Sequence, residues 1–226
     1  MPDTLPRRFA LNKTLRRPAL ERINDIVHNK TIVPPEENVS GSKQIDYGPL
    51  NQLIGVWAGN KGLDVAPEPG GTENNPYYET ITFTAVGNVT NAESQVLAVV
   101  HYRQIVRRKS DDEVFHDETG YWMWDAKAGI VMHSLTIPRA VCVLAGGTHR
   151  GEQTADGSIT LEVSAGLDNR DWQIIQSPFM RDNARTTNFR HRIVVGNAKL
   201  SYSETTTLEI YGKVFEHTDR NELLRK

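Results

Sequence analysis

Apolar and polar residues alternate with period two along most of this chain from Tyr47 onward. Tyr77-Tyr78-Glu79-Thr80-Ile81-Thr82-Phe83 puts Tyr77, Ile81 and Phe83 on one face of a strand. Gln95 to Val106 predicts a longer strand, with Val96, Ala98, Val100, Tyr102 and Val106 opposite Leu97, Val99, His101 and Ile105. Val114 to Asp125 follows, and Asp125-Ala126-Lys127-Ala128-Gly129 reads as a hairpin loop into Ile130–Ile137. Val141–Gly147, Ser158–Ala165, Trp172–Gln176, Phe189–Val195 and Lys199–Tyr211 complete the set, the last two joined at Gly196-Asn197. That makes about ten strands with short turns and no helical crossover. Leu53-Ile54-Gly55-Val56-Trp57-Ala58-Gly59, with glycines bracketing a tryptophan, opens the series. The expected fold is all-β: an antiparallel up-and-down barrel of the calycin or fatty-acid-binding-protein type, holding packed side chains or one small ligand.

Residues 1–46 follow a different period. Leu11, Leu15, Leu20, Ile23, Ile26 and Val27 recur near helical spacing among Arg7, Arg8, Lys13, Arg16, Arg17 and Arg22. Pro18 divides this arm into two short helices, and Pro34-Pro35 with Ser40-Gly41-Ser42 marks a linker. The division expected is therefore a helical arm and linker over 1–46 and a barrel domain over 47–226. The arm reads first as a strap on its own barrel or on a second subunit in a homodimer, and second as a lid, a partner contact or an anionic-surface contact.

Composition narrows the partners. The net charge of -2 in 226 residues offers no basic field for nucleic acid. No apolar run is long enough to span a bilayer, and the N-terminus lacks the apolar core of a secretory signal. Cys142 is the single cysteine, which precludes an internal disulfide and fits a cytoplasmic protein. Its setting, Val141-Cys142-Val143-Leu144, predicts an inert buried thiol.

Candidate chemistry centres on histidine. None of the seven histidines shows zinc-motif spacing, and Ser134 and Ser177 lack a nucleophile elbow. His116 shares strand parity with Gly120, Trp122 and Trp124, a face suited to a flat aromatic guest or to a filled core. His217 follows the expected last strand, and Gly212 lets it swing over a barrel mouth. A neutral imidazole there can bind iron, with Glu216 or Asp219 orienting it. The plainer alternative makes both histidines polar residues at strand ends. A third possibility is a carrier of a fatty acid or other small apolar ligand, with Arg103, Arg139 or Tyr202 holding a carboxylate.

Over residues 47–226 the chain resembles the nitrobindin family, which includes the C-terminal domain of a THAP-type protein. The resemblance rests on Pro49-Leu50 with Leu53–Gly59, on Tyr78–Phe83 and on Phe115-His116-Asp117-Glu118-Thr119-Gly120-Tyr121-Trp122. It continues through Lys199-Leu200-Ser201-Tyr202 to Thr205-Thr206-Thr207 and a histidine near the C-terminus. It implies a small haem-carrying barrel with haem b, in the ferric state, ligated through His217. His116 would lie near the other haem face, with Trp122 and Trp124 as cofactor-binding walls. It further implies nitric oxide binding and peroxynitrite isomerisation to nitrate. Two departures stand out: the entry Asn60-Lys61-Gly62-Leu63-Asp64-Val65-Ala66-Pro67 is longer than the family's glycine-rich run and lacks its tyrosine, and the interval from Thr205-Thr206-Thr207 to His217 is long; insertions also occur around Glu68–Asn75 and Pro178–Arg185.

Overall fold

The computed structural model describes residues 45–226. The helical arm expected over 1–46 therefore lies almost wholly outside the described residues. Eleven strands form one antiparallel sheet: β1 Gly55–Glu68, β2 Gly71–Asn91, β3 Gln95–Arg108, β4 Val114–Asp125, β5 Ile130–Ile137, β6 Val141–Thr148, β7 Ile159–Gly166, β8 Ile174–Gln176, β9 Ala184–Gly196, β10 Lys199–Ile210 and β11 Lys213–Arg225. Ten of them close into a barrel through the β5–β6 and β1–β11 pairings, as the period-two pattern predicts. The weak seam is between β6 and β7, which share one registered pair, Gly146 with Ser164. Here β8 pairs with the start of β6, and Trp172 packs where a Gly146 side chain would lie. A short helix α1, Pro178–Asn183, follows; its first turn is capped by Ser177 Oγ accepting from Met180 N at 3.3 Å.

The closing strand departs from expectation. Residues 213–225 are not a tail but β11, paired to β10 on one side and to β1 on the other. The chain reverses at Tyr211 and Gly212, both with positive φ, as a tight hairpin demands. Burial of β11 is confined to single inward positions such as Asn221 and Leu223, so its apolar periodicity is weak. The insertion around Glu68–Asn75 is the β1–β2 hairpin, and the one around Pro178–Arg185 contains α1.

The core lies inside the barrel, with Trp57, Trp122, Val100, Val131 and Leu161 almost fully buried. One end is plugged by a 3-10 turn, Gly48–Gln52, which buries Leu50 and contributes Leu53 just beyond it. Trp57 Nε1 donates to Leu53 O at 2.7 Å, locking the plug to β1. Trp124 packs over Gly48, whose φ of +49° and lack of a Cβ both suit that contact.

Cys142 corrects the expectation of a buried thiol. It sits on the outward parity of β6, is exposed, and lies 3.0 Å from Thr136 Oγ1 on β5. Its apolar neighbours Val141 and Val143 point inward while it points out, the ordinary consequence of strand alternation. Among the described residues no helix is long and apolar enough to cross a membrane.

Candidate functional site

The mouth opposite the plug is lined by polar and titratable side chains rather than by aliphatic ones. Inward positions on β11 are Phe215, His217, Asp219, Asn221 and Leu223, every second residue of the strand. Register places His217 opposite Thr206 on β10, and Asp219 between Asp64 on β1 and Glu204 on β10. His217 Nε2 is 2.5 Å from Asp64 Oδ1 and 3.4 Å from Asp219 Oδ2. Asn75 Nδ2 in turn donates to Asp64 Oδ2 at 2.8 Å, fixing that carboxylate. Burial works against the His217 charge, but Asp64 and Asp219 prevail and raise its pKa. Burial also lifts Asp219 to about 6 despite the nearby imidazole.

Across the mouth, β4 presents His116, Glu118 and Trp122 on its inward parity. His116 Nε2 is 3.4 Å from Glu118 Oε2. Tyr102 donates its hydroxyl to Glu118 Oε1 and lies 2.7 Å from His133 Nε2. His133 stacks on Trp122 with ring centroids 4.2 Å apart. A continuous polar chain thus descends from His116 into the barrel. Burial alone would push the Glu118 carboxyl up, yet its contact with His116 holds it well below the usual range. His116 is raised in response, burial notwithstanding. His133 falls to about 3, through burial and then the adjoining His191, and burial takes His191 to about 4. Both deep histidines are neutral at physiological pH.

A second polar cluster sits beside it. Glu79 accepts from Gln104 Nε2 at 2.6 Å, Asn221 Nδ2 at 2.7 Å and Tyr202 OH at 2.9 Å. Tyr202 OH also lies 2.6 Å from Tyr77 OH. Burial raises Glu79 to about 7 even against those donors.

The structure therefore brings His116 and His217 onto the inner wall of one mouth, close enough for the His116 charge to act on His217. Trp122 lies three inward positions further along β4, in the core, while Trp124 sits at the plugged end against Gly48. Asp219 shares the inward face with His217, but Glu216 has the opposite parity and is exposed. Arg103 also faces out, forming a bidentate pair with Asp117 at 3.0 and 2.7 Å. Strand parity could have found Glu118 and His133. Asp64 was beyond its reach, because its contact with His217 spans 153 residues and follows a bulge between Ala58 and Leu63. Two clefts are open on the surface, of about 470 Å³ along the β7–β9 lip and about 1050 Å³ beside β1, β10 and β11. Neither is lined by His116 or His217.

Residues 46–225 match the model of the THAP4-like, heme-binding beta-barrel domain. The chain belongs to that family. This is the nitrobindin family that the sequence motifs resemble. The fold is also similar to the crystal structure of Rv2717c from M. tuberculosis, with a TM-score of 0.60 and 24% identity over 81% of this chain and 99% of that one. No curated protein matches the chain.

The family suggests haem binding, and the donor chemistry at the mouth fits it. His217 meets Asp64 through Nε2, which leaves Nδ1 as the nitrogen a metal would take. A carboxylate on one imidazole nitrogen with the other left for a metal is the usual arrangement of metal-binding histidines.

Proposed function

We propose that this mouth binds ferric haem b through His217, with His116 over the opposite face, and acts on nitric oxide and peroxynitrite. The observation supporting this most directly is the delivery of His116 and His217, from two distant motifs, to one inner wall. Ferric haem held there would supply a Lewis-acid iron for nitric oxide and peroxynitrite. The protein's part is orientation and electrostatics. Asp64 holds the His217 ring and keeps it electron-rich, and Asn75 holds Asp64. Glu118, anchored by Tyr102, keeps the His116 ring turned toward it. Trp122, stacked on His133, lies in the core below the mouth. Arg139 lies near enough to His116 to oppose its protonation.

Titration of the protein with ferric haem, followed by absorption, tests this reading. A saturable, stoichiometric Soret shift that disappears in His217→Ala is expected. Full haem affinity in His217→Ala would overturn the ligand assignment. A nonsaturating response would favour an apolar-ligand carrier. That second reading loses Arg103, which faces solvent, and Tyr202, which is committed to Glu79, and keeps Arg139 near His116 as its carboxylate partner.

We further read residues 1–46 as an arm for self-association into a homodimer and the compartment as cytoplasm, on the arm's apolar spacing and the lone Cys142.

A further inference from the structure

Three carboxylates stand side by side on the inner wall where β1, β11 and β10 meet. Asp64 is registered against Asp219, and Asp219 against Glu204. Directly opposed residues have Cβ atoms about 4.5–5.5 Å apart, and like charges at that spacing repel. Inside a barrel the repulsion is screened less than on a surface.

The row is organised for a ligand in two respects. Asp64, His217 and Asp219 each offer one donor atom, and these atoms all lie within 4.8 Å of one another. Ligand atoms on one small cation lie at most about 4.4 Å apart, twice a bond of about 2.2 Å. To seat all three on a shared ion, the 2.5 Å contact between His217 and Asp64 opens and the widest gap of the three closes slightly. Asn75 already orients the most buried of the three.

The far end of the row carries an independent sign. His191 on β9 is registered opposite Glu204 and is 6% exposed. Neither of its ring nitrogens has a hydrogen-bond partner among the described residues, although Nδ1 is 3.3 Å from Glu204 Oε2. A buried imidazole without a partner is costly, and this one adjoins the acidic row.

We propose that Asp64, His217 and Asp219 form a site for one divalent first-row transition-metal cation, with Glu204 as the adjoining carboxylate. The cation replaces the proton at His217 Nε2 and neutralises the row. One imidazole with two carboxylates favours Zn²⁺, Mn²⁺ or Co²⁺ over Ca²⁺ and Mg²⁺, which prefer oxygen throughout. The site shares His217 with the haem reading but does not rest on it.

The test uses the full chain, free of tag and haem and treated with chelator. Co²⁺ is titrated by its visible absorption and Zn²⁺ by calorimetry. Saturable one-to-one binding is expected, weakened at least about tenfold in both Asp64→Asn and Asp219→Asn. Circular dichroism checks that these variants fold. If they do not, the ¹⁵N shifts of the His217 ring in the unsubstituted protein give the same answer, since Zn²⁺ must move Nε2. Nonsaturating binding, unchanged affinity in both variants or an unmoved His217 resonance would overturn the proposal. Haem titration of the same preparation separates the two readings. Haem without Zn²⁺ sinks this site alone, and Zn²⁺ without haem sinks the haem reading alone.

Discussion

His217 Nε2 is held 2.5 Å from Asp64 Oδ1, joining the last strand of the barrel to the first. This contact stabilises the closing β1–β11 seam and sets the ionisation of the histidine. The His217 pKa is raised in the fold. Its stabilising contribution is therefore full below the unfolded histidine value of about 6.5 and is lost as pH rises through the folded value. In Asp64→Asn the His217 pKa should fall. An NMR titration of the ring measures it, and an unchanged value would contradict the pairing.

His133 and His191 act in the opposite direction. Their pKa values are lowered to about 3 and about 4 because burial disfavours the charged ring. Each contributes stability that is present above about pH 6.5 and lost as pH falls toward the folded value, on the order of 3 kcal/mol per ring. Urea unfolding across this window should show stability falling with acid. A nearly flat acid limb in the wild type would refute the burial of these rings.

Glu79 should oppose that trend. Its folded pKa is raised to about 7, so its contribution is greatest below the ordinary carboxyl range and declines as pH rises toward 7. Glu79→Gln removes the charge but cannot reproduce two acceptor oxygens for Gln104, Asn221 and Tyr202. The variant should be less stable at pH 5 by roughly 1–3 kcal/mol, with a smaller deficit at pH 8. Denaturation midpoints at the two pH values compare these directly.

Gly48→Ala should destabilise the plugged end by about 1–3 kcal/mol, because the added methyl overlaps the Trp124 ring at a positive φ. Thermal melting reports this loss. A melting temperature equal to wild type would show that the 3-10 turn shifts freely, contrary to its packing against β4.

Cys142 should react with a bulky thiol reagent in the native protein, because its side chain faces outward from β6. Reaction with one equivalent, without loss of the circular dichroism signal, is expected. Modification only after unfolding would place the thiol inside.

Much of the architecture was open to reading from the chain. Strand parity correctly grouped His116 with Trp122, because alternation is a local property of the backbone. The same rule turns Cys142 outward, although its apolar neighbours Val141 and Val143 suggest burial. The strand β11 was missed for a related reason. Three of its five inward positions are His217, Asp219 and Asn221, whose polar side chains erase the apolar beat.

From the chain alone came the all-β class, most of the strands, the family and the two histidines, since these depend on short-range alternation and short motifs. The partners of those histidines came only with the tertiary structure. Asp64 meets His217, and Glu204 meets Asp219, through register between strands, which depends on bulges and barrel closure rather than on any local spacing. The depressed and raised ionisations within the barrel have the same origin. A side chain's charge is set by what surrounds it, and here the surroundings are assembled from both ends of the barrel domain.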